Sequence, residues 1–333
     1  MRILAFVQPL LALALLSASC TSGGTSVRAL PSAAANGLNV IATFSISGDL
    51  LQNVAGEYVS LTVLAGPGAD THTYQPTPRD GAAMSKADLI FEIGLGFEPW
   101  LDRMVDASGT AARRVILTEG LRLRYAAAEP FLPSNGIRRA VPGGAAADGQ
   151  GPVGAPDPHV WQSVGHVMEM VEAMRDALME ADASHAEIYR ARAEQFLLQL
   201  GELDAWAFEQ TASLPAEQRR LVTNHDSLGY FAERYGFELL GSLLPLSTEA
   251  GSASAQNIAR LVDLIKASGV PAIFGESISS DRLLQQVARE AGVEAVGSLY
   301  TDSLGPPGST AETYQKMMRH NVETIVGALG GDR

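Results

Sequence analysis

The chain alternates short apolar segments, rich in β-branched residues, with segments long enough to be helices, and this alternation limits the possible folds. The strand-like segments of the first half are residues 39–43, 59–64, 88–93 and 114–118. Those of the second half are residues 220–223, 237–244, 271–274 and 294–298. Strands separated by helix-length connections indicate βαβ units, whose parallel sheets are covered on both faces. We therefore predict an α/β fold with two parallel-sheet lobes.

One long helix is predicted between the two lobes. Its apolar residues recur at steps of four and three, which places them on one face: Tyr189, Ala193, Phe196, Leu200, Leu203 and Ala207. The roughly 29 residues from His185 to Ser213, at about 1.5 Å each, make a rod of roughly 43 Å. Such a helix joins lobes more rigidly than a coil would. We predict an N-terminal lobe over 38–183, the linking helix over 184–214 and a C-terminal lobe over 215–333.

The N-terminus has the layout of a secretory signal. A basic residue, Arg2, precedes an apolar run from Ile3 to Leu16, and small residues follow. The run is too short to cross a bilayer comfortably, since a spanning helix needs about 20 apolar residues. We predict a signal peptide over 1–19 and a location outside the cytoplasm, either in the periplasm or at a membrane surface.

Cys20 is the only cysteine of the chain, which excludes an intrachain disulfide. Its position directly after the apolar run resembles the lipidation cysteine of bacterial lipoproteins, although one extra residue separates it from Leu16. Plain export, with cleavage near Ala18 or Ser19, is the alternative. Residues 20–37 carry too little apolar periodicity to fold, so they are predicted to be a flexible tether.

Four short polar clusters each place one metal-ligating residue where a strand-like segment passes into a loop. The four residues are His72, His159, His225 and Asp302. Each has a simpler explanation when taken alone, such as a surface histidine or a helix-capping aspartate. Ligands of open α/β sheets bind beyond the carboxyl ends of the strands, however, so two such residues in each lobe indicate a shared cleft.

Three imidazoles and one carboxylate fill a tetrahedral zinc shell, whereas a catalytic zinc keeps one position open for water or substrate. This set therefore indicates a protein that holds a metal ion. His166 is excluded, because it lies two helical turns beyond His159, about 10 Å along a helix axis. Imidazole suits zinc and harder oxygen donors suit manganese, so Zn²⁺ is favoured, with Mn²⁺ as the alternative.

The chain resembles the cluster A-I solute-binding proteins, which deliver zinc or manganese to ABC transporters. The resemblance is carried by residues 72–78, 94–98, 157–161 and 225–231, and by 300–304 together with 317–321. It implies two α/β lobes joined by one long helix, with the metal between the lobes, and it maps the ligands onto His72, His159, His225 and Asp302.

Two sequence features bear on the metal in opposite ways. Manganese or iron members of the family generally carry Glu at the third ligand position, where this chain has His225. Many zinc members carry a His-rich loop, whereas residues 126–155 contain no histidine. The first feature favours zinc and the second weakens that choice.

The sequence thus predicts an extracytoplasmic, high-affinity zinc-binding protein that passes its ion to an ABC permease and is not an enzyme. A metallochaperone is a further candidate partner, and a monomer is expected. The formal charge of -13 disfavours nucleic acid. Asp226 and Glu276 are candidates to orient the imidazoles. The alternatives are a manganese or iron protein of the same class, an exported zinc hydrolase with Asp302 as its base, and a scaffold module with a structural ion.

Overall fold

The computed structural model describes residues 37–125, 154–244, 255–278 and 282–331. The predicted signal peptide, Cys20 and nearly all of the predicted tether and of the segment 126–155 lie outside these residues. Within the described part of the chain, no helix combines the length and the apolar character that a membrane crossing requires.

The first half of the chain forms a parallel four-stranded sheet. Its strands are β1 Leu38–Phe44, β2 Val59–Ala65, β3 Leu89–Glu92 and β4 Arg113–Ile116, in the order β2-β1-β3-β4. The helices of this half are α1 Ser45–Ala55, α2 Pro78–Met84, α3 Leu101–Ser108 and α4 Val164–Ala181. Each parallel pair needs a crossover, which helices supply.

The second half repeats this architecture. Its strands are β5 Arg220–His225, β6 Glu238–Leu244, β7 Ala272–Glu276 and β8 Glu294–Leu299, in the order β6-β5-β7-β8 and all parallel. Its helices are α6 Gly229–Tyr235, α7 Ala255–Ser268, α8 Arg282–Ala291 and α9 Tyr314–Gly330. All eight predicted strands are present, and no end differs from its predicted position by more than two residues.

Helix α5, Ala186–Ala212, connects the two halves with 27 residues. At about 1.5 Å per residue it is about 40 Å long. The six apolar residues that predicted it are all buried, none more than 3% exposed. The predicted fold, two parallel-sheet α/β lobes joined by one long helix, is confirmed.

The two lobes share one hydrophobic core. The largest buried cluster runs from β1 and β3 through α4 and α5 to β5, β7 and α9. Two smaller clusters lie apart from it, one within each lobe. Phe196 and Leu200 of α5 belong to the shared cluster. The long helix is therefore part of the core that unites the lobes, as well as the covalent connection between them.

Candidate metal centre

The structure brings the four sequence-predicted ligands together. His72, His159, His225 and Asp302 each offer one ligand atom, and these atoms lie within 4.8 Å of one another. None of the four residues is more than 2% exposed. The first two come from the first half of the chain and the last two from the second half, so the cluster lies between the lobes.

Two of the histidines, His225 and His159, lie at the ends of elements of secondary structure. His225 is the last residue of β5, and α6 begins four residues later, so His225 does not start a helix. His159 precedes a short 3₁₀ turn, Val160–Gln162. The N-cap of α4 is Ser163, whose side chain accepts the amide of His166. Asp157 therefore does not cap α4.

Three imidazole Nε2 atoms and the Asp302 carboxylate face one point. Asp302 Oδ2 lies 3.1 Å from His225 Nε2 and 3.4 Å from His72 Nε2. Asp302 Oδ1 lies 3.6 Å from His159 Nε2. The Nε2 atoms of His159 and His225 are 3.3 Å apart. This is the arrangement that four donors adopt around a common cation.

The Asp302 carboxylate makes this arrangement costly without a cation. Within the described residues, neither of its oxygens accepts a hydrogen bond of good geometry, and the same holds for both ring nitrogens of His72. A buried polar group without a partner costs free energy, and a buried charge costs more. A bound divalent ion would satisfy His72 Nε2 and the Asp302 carboxylate together, so this donor set fits such an ion.

The carboxylates around the centre raise the pKa values of two of its histidines. Burial alone would lower the pKa of His159, but Asp302 and then Asp157 raise it to about 9. Burial opposes charge on His225 too, yet Glu276 and Asp302 raise its pKa well above the usual value. Burial would raise the pKa of Asp302, but His225 and His159 hold it well below its usual range.

Two buried carboxylates orient two of the imidazoles. Glu276 ends β7 next to β5 and pairs with Nδ1 of His225. Asp157 Oδ1 lies 2.8 Å from Nδ1 of His159 and also accepts the backbone amide of His159 at 3.0 Å. A hydrogen on Nδ1 leaves the Nε2 lone pair directed at the centre. Glu276 thus lies where the prediction placed a partner for an imidazole.

The acceptor for His159 is Asp157, which was not among the two candidates from the sequence; Asp226, the other candidate, lies next to Asp157. Burial first, and then the charge of Asp157, raise the pKa of Asp226, so these two carboxylates are close neighbours. Arg124 lies 4.0 Å from Asp157 Oδ2. With the Arg124 guanidinium, a divalent ion would offset the buried charge of the Asp157, Glu276 and Asp302 carboxylates.

An aromatic wall closes the centre on the side of the first lobe. The ring of Phe97 lies edge-on to the His72 ring, with 4.9 Å between the ring centroids. Its centroid is 4.7 Å from that of the Trp161 ring. The turn before Phe97 places Leu95 at a positive φ of 56°. The buried Glu98 carboxylate accepts the amides of Ile93 and Gly94 at 2.9 and 3.0 Å, which fixes this turn. The sequence pattern gave the segment 94–98 no structural role.

The fold and the centre together define a metal-binding solute-binding protein of an ABC transporter. The model of the family described as zinc-uptake complex component A, periplasmic, matches residues 40–328. The chain belongs to this family. Its members are binding proteins that act outside the cytoplasm with the membrane components of ABC transporters, so the protein is not an enzyme and the hydrolase alternative is wrong.

Individual relatives differ in the metal that they are named for. The chain is 36% identical over 330 residues to the manganese-binding lipoprotein MntA of Halalkalibacterium halodurans, covering 99% of each protein. It is 33% identical to the iron-binding protein YfeA of Yersinia pestis, covering 90% of this chain and 89% of that one. The structure of the periplasmic zinc-binding protein TroA from Treponema pallidum matches with a TM-score of 0.73 and 30% identity, covering 87% and 98%.

Proposed function

We propose that the protein captures Zn²⁺ between its lobes through His72, His159, His225 and Asp302 and delivers it to an ABC permease. The observation that carries this proposal is the convergence of three Nε2 atoms on a buried carboxylate whose oxygens have no conventional hydrogen-bond donor among the described residues. Imidazole-rich sites suit zinc, and zinc lies above manganese in the general affinity order. We therefore expect zinc to bind more tightly than manganese.

Manganese is the second candidate cargo, and a specific feature of Asp302 favours it. Both carboxylate oxygens face imidazole nitrogens, Oδ2 toward His225 at 3.1 Å and Oδ1 toward His159 at 3.6 Å. If both oxygens bind, the centre offers five donors, two of them hard oxygens, which suits manganese better than a tetrahedral set does. The manganese-binding relative MntA supports the same choice.

The proposed capture uses the chain's own residues in three ways. Asp157 and Glu276 hold the imidazoles of His159 and His225 in the tautomer that binds. The arriving ion displaces the protons that these imidazoles carry in the empty centre. Because all four ligands are buried, the surrounding loops or lobes must move to admit the ion and to release it to the permease.

We further propose that residues 1–19 are removed on export and that lipid on Cys20 tethers the folded part, 38–333, through residues 20–37. The manganese relative that matches 99% of the chain is itself named a lipoprotein. The proposed body is a monomer, with lobes over 38–183 and 215–333. A metallochaperone partner stays a prediction from the sequence.

Metal analysis followed by chelator competition tests the proposal. Protein purified without added metal should carry a divalent ion, and zinc should displace manganese from it at equal concentrations. His72→Ala, His159→Ala, His225→Ala and Asp302→Ala should each weaken zinc binding strongly. His185→Ala is the matched control, because His185 pairs with Asp182 at the start of α5 instead of facing the centre.

Two results would overturn parts of the proposal. Unchanged zinc affinity in any one ligand variant removes that residue from the site. Manganese binding that zinc at equal concentration does not displace removes zinc as the preferred ion.

A further inference from the structure

A buried chain of hydrogen bonds joins the loop that carries His72 to the loop that carries Asp302. Its central members are two hydroxyls, those of Ser45 and Ser303, whose oxygens are 3.2 Å apart. Ser45 begins α1 in the first lobe, and Ser303 follows Asp302 in the second lobe. They are 4% and 1% exposed. Water therefore does not compete for these bonds while the lobes are closed.

Backbone groups from both loops complete this chain. The amide of Leu304 donates to Ser45 Oγ at 2.9 Å. The amide of Gly68, four residues before His72, donates to Ser303 Oγ at 2.7 Å and lies 3.1 Å from the Leu304 carbonyl oxygen. The two bonds to serine hydroxyls link residues 235 and 259 positions apart in the sequence.

The donors and acceptors of the two serines are balanced. Ser45 accepts the amide of Leu304, so its own hydrogen is available for Ser303. Ser303 accepts from Gly68 and can accept from Ser45, which leaves its own hydrogen for the carbonyl of Leu304 at 3.2 Å or of Gly66 at 3.5 Å. A fully satisfied buried network favours one arrangement of its members, whereas a partly satisfied one is costly.

We propose that Ser45 and Ser303 form a clasp that holds the two ligand-bearing loops together and sets the rate at which the ion leaves. This inference rests on the proposed function, since it concerns release from that same centre. Ser303 is covalently next to Asp302, and Gly68 shares a loop with His72. The loops therefore cannot separate without breaking the clasp, so its hydrogen bonds add to the barrier for release. Ser45 and Ser303 act as positioning residues and do not contact the ion.

The chain provides a matched control for this clasp. Ser47 is also buried and also lies in the first turn of α1, but its hydroxyl donates to the Phe44 carbonyl oxygen at 3.0 Å within the same lobe. Ser47→Ala removes the same atom from the same helix without touching a bond between the lobes. General destabilisation of α1 should appear in Ser47→Ala as well as in Ser45→Ala.

The proposal is tested by a stopped-flow measurement of the rate at which the full mature protein releases zinc into excess chelator. Ser45→Ala and Ser303→Ala should release zinc faster by on the order of tenfold, because each leaves a buried partner unsatisfied. Ser47→Ala should release at the wild-type rate. The double variant should fall short of the product of the single effects, because the two hydroxyls belong to one network.

Release at the wild-type rate from both clasp variants would overturn the proposal, and so would equal acceleration in Ser47→Ala. If an alanine variant does not fold, amide exchange in the wild type decides the question. Slower exchange of the Gly68 and Leu304 amides on zinc loading supports the clasp, and unchanged exchange refutes it. A wild-type protein that binds no metal would instead overturn the proposed function, which separates the two failures.

Discussion

Replacing Glu276 with glutamine removes one charge and almost no volume behind a proposed ligand. Among the described residues, the Glu276 carboxylate takes three hydrogens: the backbone amide of His225 at 3.0 Å, Nδ1 of His225, and the hydroxyl of Thr301 at 2.7 Å. A glutamine amide offers one oxygen and two hydrogens. At least one of the three donors must then face an NH₂ group. If that donor is Nδ1, the ring keeps its hydrogen on Nε2, the atom that has to bind the ion.

The expected magnitude follows from this geometry. Loss of the partner of a metal-ligating imidazole typically costs about 10- to 100-fold in affinity, or about 1.4 to 2.7 kcal/mol. Glu276→Gln should lie at the upper end, because the carboxylate is buried and its two oxygens serve three donors. Asp157→Asn should cost less, about fivefold, because Asp157 Oδ1 alone accepts both His159 groups and an asparagine oxygen can take that place.

Competition with a chelator of known affinity, at one pH and with circular dichroism to verify folding, measures both variants. The ratio between them is the decisive quantity, since each is compared with the same wild type. Equal losses in Glu276→Gln and Asp157→Asn would refute the argument from donor geometry. A loss of less than about threefold in Glu276→Gln would show that tautomer control by this carboxylate contributes little, against the usual range.

Three further predictions concern protons, donor type and anchoring. The pKa of His159 is raised to about 9 and that of His225 well above its usual value, so the empty centre binds protons that the ion must displace. Zinc affinity, corrected for the chelator's own titration, should therefore rise between about pH 6 and pH 8, by up to about a hundredfold per unit if two protons leave; a flat profile contradicts this. His225→Glu replaces a nitrogen donor with a carboxylate and should lower the zinc-to-manganese affinity ratio, whereas an unchanged or higher ratio would remove His225 as a determinant of selectivity. Wild-type protein should partition with membranes and resist washing with salt, while Cys20→Ser should be soluble or accumulate uncleaved; a soluble wild type beginning near residue 19 or 20 would show plain export.

The fold was predictable because both of its signals are local. Strands of a parallel sheet are buried on both faces, so they appear as continuous apolar runs between helical segments. Two strands extend two residues beyond their predicted ends, β5 to His225 and β7 to Glu276. Both residues are polar and lie at the centre, so a search for apolar runs leaves them out. Polar residues at the carboxyl end of a buried strand are therefore a signal for a site in their own right.

The topology of the sheets made it predictable that the four residues would lie close together. The hydrogen bonds around them could not be predicted from the sequence. Carboxyl ends of parallel strands share one edge, which brings residues that follow different strands together. The partner of His159 depends on which of two neighbouring carboxylates, Asp157 or Asp226, has the matching rotamer, and composition does not encode that choice. The Ser45–Ser303 bond joins residues 258 positions apart, and each is an ordinary serine in its local sequence.

Donor identity alone does not decide the cargo, and the proposed ligand set offers a physical reason. With one Asp302 oxygen bound, His72, His159 and His225 complete a four-donor set that suits zinc. With both oxygens bound, the same residues form a five-donor set with more oxygen character. The difference is a rotation of one carboxylate, whose next residue, Ser303, is held by the hydrogen bonds from Ser45 and Gly68. Selectivity among family members that share these donors should therefore depend on how firmly the loop after the last strand is held, as well as on the ligands themselves.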